Sequence, residues 1–245
     1  ARTPCAVIVA LGLRMLSNYM HKFSSWAARV KLSFGTDIST PAGRRAARIW
    51  CHVFDQSFTR LVWSNFTQIA PGVYRAGQPA HAALVHYRKF NVRTVINLRE
   101  PAQHAPYLFE KESCQILGLT LLDRALFADR ATPAVQILEI LQTLRQMKNP
   151  VVFHCKFGTD RTGFIAAAYL MVYEAVPVEY AKGQISTSYF DLAFAKRNIY
   201  RYILNVYQAR NAQAAIGFED WIKTEYDDEK IQAGFDCKRP ARELI

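Results

Sequence analysis

Apolar runs and amphipathic stretches alternate through the middle of the chain, between residues 67 and 173. Runs rich in β-branched and aromatic residues predict short buried strands, which are QIAPGVYRAG (68–77), VRTVINLR (92–99), LTLLDRAL (119–126) and VVFHC (151–155). The segments between them have the apolar spacing of helices, at 79–90, 107–117 and 133–147, the last capped by Thr132. This alternation predicts an α/β fold with a central, mainly parallel sheet of about four to five strands flanked by helices.

The chain after this sheet region is predicted to be helical. In the segment 197–215, the residues Ile199, Ile203 and Val206 are expected to face inward. We place one domain over residues 67–226 and a polar C-terminal tail over residues 227–245. The predicted helices of this part are 164–172, 178–186, 197–215 and 218–226.

The N-terminal part has a different pattern. Residues 1–43 predict a leader and linker, in which the apolar run at 5–13 is too short to span a bilayer. Residues 44–66 predict an amphipathic helix, an N-terminal helical extension with aromatic residues at helical spacing and several arginines. We expect its aromatic face to dock on the core, and the alternative is peripheral attachment of residues 44–66 to an anionic membrane.

Composition narrows the function classes. The 245 residues are 51% hydrophobic, which is typical of a globular protein. The formal net charge of +11 favours anionic partners, namely phosphorylated substrates or acidic membrane surfaces. The sequence contains no nucleic-acid-binding motif, so nucleic acid is not an expected partner. The five cysteines are irregularly spaced and predict no disulfide framework.

The stretch VVFHCKFGTDRTG (151–163) carries the candidate chemistry, because it joins a predicted strand to a predicted helix. Free N–H groups at a helix N-terminus attract an anion, and Gly158 permits a tight curl of the loop. Arg161 offers a planar fork of donors for phosphate oxygens. Cys155 would lie at the bottom of this cup, where the positive field lowers the pKa of its thiol and makes it a nucleophile.

Two other site types are excluded by spacing. Gly158 and Gly163 have the glycine spacing of a Walker A phosphate loop, but Phe164 and Ile165 follow instead of Lys-Ser/Thr. His154 and Cys155 have no second pair at zinc-ligand spacing. We therefore expect neither a metal nor another cofactor.

His-Cys-x5-Arg-Thr resembles the signature loop of cysteine-based protein tyrosine and dual-specificity phosphatases. HCKFGTDRTG is most similar to atypical bacterial members and to the compact dual-specificity and lipid-phosphatase branches. The resemblance extends over GVYRAGQP (72–79) and VRTVINLRE (92–100), and covers roughly residues 65–175. A sulfurtransferase loop usually has one residue fewer between its Cys and Arg, which argues against that class.

The resemblance implies roles for the residues of the loop. Cys155 is the expected nucleophile and Arg161 the ligand of the transferred phosphoryl group. Thr162 is expected to donate a hydrogen bond to the Cys155 sulfur or to cap the following helix, and His154 to orient the loop through backbone bonds. The residues expected to surround the phosphate are Lys156, Phe157, Gly158, Thr159, Asp160 and Arg161.

The general acid is left open between two aspartates. Family members carry an Asp on the loop before the last crossover helix, and the matching loop here is FADRAT, which places Asp129. The usual Trp-Pro-Asp form of that loop is absent, and Asp160 in the signature loop is the rival. Asp123, inside a predicted strand, is expected to have a structural partner.

These features predict a cysteine-dependent phosphomonoesterase of the protein tyrosine/dual-specificity type. A phosphoinositide or other phospholipid phosphatase is one alternative, since Lys156 adds charge beside the nucleophile, as in lipid and inositol phosphatases of the superfamily. A phosphate-binding module without turnover is the other. The substrate is expected to be a phosphorylated protein, a phospholipid or an inositol phosphate. Because a reactive thiol needs a reducing compartment, we expect a cytoplasmic location, or the inner face of a membrane.

Overall fold

The computed structural model describes residues 35–58, 60, 64–101, 104–185 and 198–245. Of the predicted leader and linker at 1–43, residues 1–34 lie outside the described residues. The helices of the described part are α1 Pro41–Val53, α2 His81–Arg88, α3 Ala105–Leu117, α4 Ala134–Gln146, α5 Asp160–Tyr173, α6 Val178–Ala181, α7 Ile199–Gln213, α8 Phe218–Thr224 and α9 Asp228–Asp236. The strands are β1 Thr67–Ala70, β2 Val73–Gly77, β3 Thr94–Asn97, β4 Thr120–Asp123 and β5 Val151–Cys155, and 3₁₀ turns lie at Lys182–Gln184 and Ala241–Glu243.

The five strands form one sheet in the order β1-β2-β5-β3-β4. β5 lies between β2 and β3 and is parallel to both, and β3 is also parallel to β4. Only the pairing of β1 with β2 is antiparallel within this sheet. The predicted α/β fold with a mainly parallel sheet is therefore confirmed. Gly77 pairs with Cys155 at the carboxyl end of the central strand, which is the edge where such sheets place ligands.

Successive residues of the central strands belong to opposite faces of the sheet, as the two-residue period of a strand requires. Phe153 belongs to the larger hydrophobic cluster, which includes α4, α5, α7 and α8, whereas Val152 belongs to a smaller cluster with α2 and part of α3. The expected inward positions Ile199, Ile203 and Val206 are all buried in the larger cluster. Both faces of the sheet are thus covered within the described residues.

Contacts divide the chain into two units, and the described part of the smaller one comprises 35–57 and 104–108. Its helix α1 begins after Thr40, whose hydroxyl accepts from the N–H of Gly43, and it ends at Val53. The helix predicted over 44–66 is shorter in the described residues, since it ends at Val53 and Gln56 beyond it has a left-handed conformation (φ +53°). Residues 59 and 61–63 of that prediction lie outside the described residues. Trp50 is buried and stacks on His104, with 5.2 Å between ring centroids.

The larger unit contains the sheet and every site residue discussed below. Its C-terminus corrects the prediction of a polar tail at 227–245. That segment forms α9 and a 3₁₀ turn, and Ile231 and Leu244 are buried in the main hydrophobic cluster. The polar residues that suggested a tail occupy the outer surface of a short amphipathic helix.

Two helix starts also differ from prediction. The helix expected from Phe164 begins at Asp160, inside the signature loop. Helix α4 has Pro133 at its N-cap position and no side-chain cap, so Thr132 does not cap it. The Thr132 hydroxyl accepts instead from the N–H of Phe127. No described helix combines the length and apolar character needed to cross a membrane.

Candidate active site

The signature loop joins the end of β5 to the start of α5. Cys155 is the last residue of the strand, residues 156–159 curve, and Asp160 begins the helix. The first N–H groups of a helix have no partner within the helix and point out of its end. The loop is therefore placed between a sheet edge and the positive end of a helix, as the sequence predicts.

Three successive carbonyl groups of the loop accept hydrogen bonds from residues outside the loop. The carbonyl of Lys156 accepts from the backbone N–H of Gln78 at 3.2 Å. The carbonyl of Phe157 accepts from the Asn65 side-chain amide at 2.7 Å, and that of Gly158 from the Arg75 guanidinium at 2.5 Å. In a trans peptide the N–H points opposite to the carbonyl. The N–H groups of residues 157, 158 and 159 are thus turned away from these partners, as the N–H groups of an anion-binding nest would be.

Gly158 is required by this curvature. Its φ is +77°, in the left-handed region that glycine adopts most easily. A Cβ at this position would lie 2.6 Å from the carbonyl carbon and oxygen of Ala76 and from the nitrogen of Gly77. The loop therefore packs directly on the backbone of β2, and a side chain would force the two apart.

Arg75 is a buried residue in contact with the loop that the sequence analysis missed. It lies in β2 and its side chain is fully buried. Besides the Gly158 carbonyl, its guanidinium donates to the backbone and side-chain oxygens of Gln184, at 2.8 and 2.7 Å. The signal in the sequence was an arginine in the middle of an otherwise apolar strand, VYRAG, since a buried cation is kept only where it has fixed partners.

The Cys155 thiol is acidified by its surroundings. Burial raises its pKa, but the charge of Arg161 and hydrogen bonds from the Thr162 hydroxyl and backbone outweigh that effect, and the pKa lies below the usual value for cysteine. Asp160 opposes the shift by its negative charge. The Thr162 side chain is fully buried, and its hydroxyl makes no hydrogen bond to a nitrogen or oxygen of the described residues. Thiolate is the nucleophilic form, so the site stabilises the species it needs.

Arg161 and the loop at 124–133 are adjacent. One guanidinium nitrogen of Arg161 lies 3.4 Å from the carbonyl of Leu126, which follows β4. Arg161 is partly exposed, so its remaining donors can face an incoming phosphate. This contact brings the predicted acid loop to the side of the phosphate loop.

His154 has a more elaborate setting than predicted. Its Nδ1 lies 3.2 Å from the Cys155 carbonyl, in line with the predicted orienting contact. Its Nε2 lies 2.5 Å from a carboxylate oxygen of Glu110 on α3, and both side chains are fully buried. Glu110 also accepts from the Gln78 side chain at 2.8 Å, and the Gln78 oxygen accepts from Arg99. A buried polar chain thus connects the strand behind the nucleophile to the protein surface.

The aspartates occupy three different environments. Asp123 accepts from the Asn97 side chain at 2.9 Å across adjacent strands, which is the structural partner expected of it. Asp160 accepts from the Asn198 side-chain amide at 2.5 Å, at the start of α5. Asp129 is exposed, on the loop whose Leu126 carbonyl contacts Arg161. An ionised carboxylate at a helix N-terminus is favoured, so the setting of Asp160 suits a brace better than a proton donor.

The other loop residues have their own contacts. The Lys156 ammonium lies 4.8 Å from the centre of the Phe157 ring, and both side chains are partly exposed. Thr159 is buried, and its carbonyl accepts from the N–H of Gly163 at 2.7 Å. Among the described residues there is no cluster of three or more His, Cys, Asp or Glu side chains that could hold a metal ion.

Comparison with known proteins agrees with this geometry. The family model "Dual specificity phosphatase, catalytic domain" matches residues 73–216. The dual specificity protein phosphatase TpbA of Pseudomonas aeruginosa is 28% identical over 128 residues, which are 50% of this chain and 51% of that protein. The inositol diphosphatase DSP3 of Arabidopsis thaliana is 29% identical over 108 residues, 41% of this chain and 50% of that protein. The chain thus spans about half the length of the curated relatives it matches.

A solved structure shares the fold. The putative phosphatase (DUF442) from Shewanella putrefaciens CN-32 superposes with a TM-score of 0.51 and 18% sequence identity. The match covers 63% of this chain and 96% of that one.

Proposed function

Because the chain belongs to the dual specificity phosphatase family, we propose that it hydrolyses phosphate monoesters through a phosphocysteine intermediate on Cys155. The observation that carries the proposal is a buried thiol whose pKa is lowered, against the effect of burial, by Arg161. It lies at the start of a loop whose carbonyl groups at 156–158 bond to other residues, so that the N–H groups at 157–159 point away from those residues. Protein phosphotyrosine and phosphoserine or phosphothreonine are the proposed substrate class.

The reaction has two displacements at phosphorus. The Cys155 thiolate attacks in line, the S–P bond forms, and the bond from phosphorus to the alcohol or phenol oxygen breaks. Asp129, the proposed general acid, gives its proton to the departing oxygen. Water then attacks the phosphocysteine, Asp129 takes a proton from it, and the S–P bond breaks to regenerate thiolate and release inorganic phosphate.

The loop stabilises charge in both steps. Charge develops on the three equatorial oxygens of the transferring group, where preorganised donors act most strongly. The N–H groups of residues 157–159 and the Arg161 guanidinium supply these donors. The Thr162 hydroxyl stabilises the sulfur when it leaves in the second step, as it does in the resting thiolate.

The test is hydrolysis of p-nitrophenyl phosphate by the wild-type protein, Cys155→Ser and Arg161→Ala. We expect both variants to lose at least three orders of magnitude in kcat, with the wild type forming a phosphorylated cysteine on rapid quenching. Equal rates for wild type and Cys155→Ser would refute the proposal. Phosphate binding without turnover by the wild type would identify the chain as a binding module instead.

Inositol phosphates form a second candidate substrate class, which the relative named an inositol diphosphatase favours. The partly exposed Lys156 beside the nucleophile can take a second phosphate group. A panel of phosphopeptides, phosphoinositides and inositol polyphosphates distinguishes the classes. If Lys156 binds a second phosphate group, Lys156→Met should lower kcat/KM more on inositol polyphosphates than on phosphopeptides. An equal loss of kcat/KM on both substrate classes excludes that role.

The location is also a proposal. A thiolate nucleophile is readily oxidised, so we propose a reducing compartment such as the cytoplasm. The exposed side of α1 presents Arg45, Arg48, Ile49 and Val53, a basic and apolar face that fits an anionic membrane surface. Co-sedimentation with phosphatidylserine vesicles tests this attachment, which Arg45→Glu/Arg48→Glu should abolish; unchanged binding of that variant would refute it.

A further inference from the structure

The loop that carries Asp129 is tied down by residues far along the chain. This acid loop comprises residues 124–133, between β4 and α4. The Tyr200 hydroxyl, on α7, donates to the carbonyl of Phe127 at 2.5 Å and lies 3.0 Å from the Thr132 hydroxyl. The Thr132 hydroxyl accepts from the N–H of Phe127 at 3.2 Å. Both ends of the turn around Asp129 therefore meet at one tyrosine hydroxyl.

The donors and acceptors of this contact close a ring. The N–H of Phe127 donates to the Thr132 oxygen, the Thr132 hydroxyl donates to the Tyr200 oxygen, and Tyr200 donates to the Phe127 carbonyl. Each hydroxyl uses its single proton once, so every member is satisfied. Tyr200 and Thr132 are fully buried, and hydrogen bonds in such surroundings polarise one another. Burial also raises the pKa of Tyr200, which keeps its hydroxyl protonated as a donor.

Two further ties come from the segment beyond residue 216, where the family match ends. The Tyr226 hydroxyl, after α8, donates to the Thr132 carbonyl at 2.8 Å. The Gln232 side chain, on α9, accepts from the N–H of Ala131 at 2.8 Å. Three elements from the C-terminal third thus hold backbone groups of residues 127, 131 and 132, while Asp129 between them stays exposed.

The start of α7 also contacts the signature loop. Asn198 caps this helix by accepting from the N–H groups of Tyr200 and Arg201, and its amide donates to Asp160 at 2.5 Å. The same helix end therefore holds the acid loop through Tyr200 and the first turn after the nucleophile through Asn198. Such a frame fixes one loop relative to the other.

We propose that Tyr200, Tyr226 and Gln232 are positioning residues that hold Asp129 in place for proton transfer, so that the C-terminal segment is part of the catalytic apparatus. This inference rests on the proposed phosphatase function. A general acid contributes about 10²–10⁴ in rate, and a misplacement of about 1 Å can cost about 10². The contribution is needed only when the leaving oxygen is basic, because a good leaving group departs without a proton.

The experiment compares two substrates with Tyr200→Phe, which removes the hydroxyl and keeps the ring. We expect kcat/KM on phenyl phosphate to fall at least tenfold, and on a fluorinated coumarin phosphate, a good leaving group, to change less than twofold. Tyr226→Phe and Gln232→Ala should show the same selectivity with smaller losses. Tyr202→Phe is the matched control, since its hydroxyl donates to the Arg239 carbonyl, away from the acid loop.

The comparison with Asp129→Asn decides the outcome. If Tyr200 acts through Asp129, the double variant Asp129→Asn/Tyr200→Phe loses no more than Asp129→Asn alone on phenyl phosphate. Equal losses on both substrates, or additive losses in the double variant, would overturn the positioning role. An Asp129→Asn variant with no leaving-group selectivity would overturn it as well. Failure of the phosphatase proposal has a different signature, which is full activity of Cys155→Ser.

Discussion

Arg75 offers the sharpest test of how the phosphate loop is shaped. Its guanidinium donates one hydrogen bond to the Gly158 carbonyl and two to Gln184, from a fully buried position. Lysine at this position keeps the charge but has a single ammonium instead of a planar fork, so we expect it to retain one of the three bonds. Each hydrogen bond to a charged group contributes roughly 1.5–3 kcal/mol, so Arg75→Lys should lower the free energy of unfolding by about 3–6 kcal/mol.

The kinetic consequence follows from the Gly158–Thr159 peptide. We expect the single lysine ammonium to bond to Gln184, which leaves the Gly158 carbonyl without a donor. That carbonyl is then free to rotate toward the phosphate, which removes the Thr159 N–H from the anion site. Loss of one preorganised donor lowers kcat by about 10²–10³. The groups that shift the pKa of Cys155 are Arg161, Thr162 and Asp160, besides burial, and Arg75→Lys keeps all three and its own charge. The rate of alkylation by iodoacetamide should therefore stay within twofold of the wild type.

Urea unfolding, steady-state kinetics and inhibition by inorganic phosphate measure these effects. The matched control is Arg210→Lys, because Arg210 pairs with Glu225 at the surface and such pairs contribute about 0–1 kcal/mol. An Arg75→Lys variant with unchanged stability, kcat and phosphate inhibition would refute the argument. A loss of alkylation rate equal to the loss of kcat would show that Arg75 acts on the thiol rather than on the loop.

Three further changes test other parts of the structure. Thr162→Val removes a hydroxyl that lowers the pKa of Cys155, so less thiolate forms at a given acidic pH. The acidic limbs of the pH profiles of kcat/KM and of iodoacetamide alkylation should therefore move to higher pH. Thr224→Val is the control, and an acidic limb that does not move contradicts the role of Thr162. Glu110→Ala leaves the buried His154 and Gln78 side chains each without this partner. The variant should lose at least about 1–3 kcal/mol in urea unfolding, and an unchanged free energy of unfolding would show that these contacts are not stabilising. Ile231→Ala should lower the free energy of unfolding by about 2–5 kcal/mol, because Ile231 is buried in the main cluster. Lys230→Ala, at an exposed position, is the control. Equal stability of the two variants would support the original prediction of a polar tail.

The sequence alone was sufficient for the local architecture of the site. The β5–loop–α5 unit is continuous in sequence, so the strand pattern of VVFHC, the glycine of the loop and the apolar helix after it predict a phosphate-binding turn with a thiol at its base. The alternation of strands and helices predicts the parallel sheet for the same reason. Hydrophobic periodicity depends only on residues that are close together in sequence. The strand, the loop and the helix of this unit are each formed by such residues.

The tertiary structure decided what holds that turn in shape. Arg75 is 83 residues from Gly158, Asn65 is 92 residues from Phe157, and Tyr226 is 94 residues from Thr132. No local pattern records such pairs, because the strand order β1-β2-β5-β3-β4 brings β2 beside β5 only after the whole sheet has formed. The prediction of a polar tail at 227–245 failed for a related reason. The burial of Ile231 and Leu244 depends on a core built from residues far earlier in the chain.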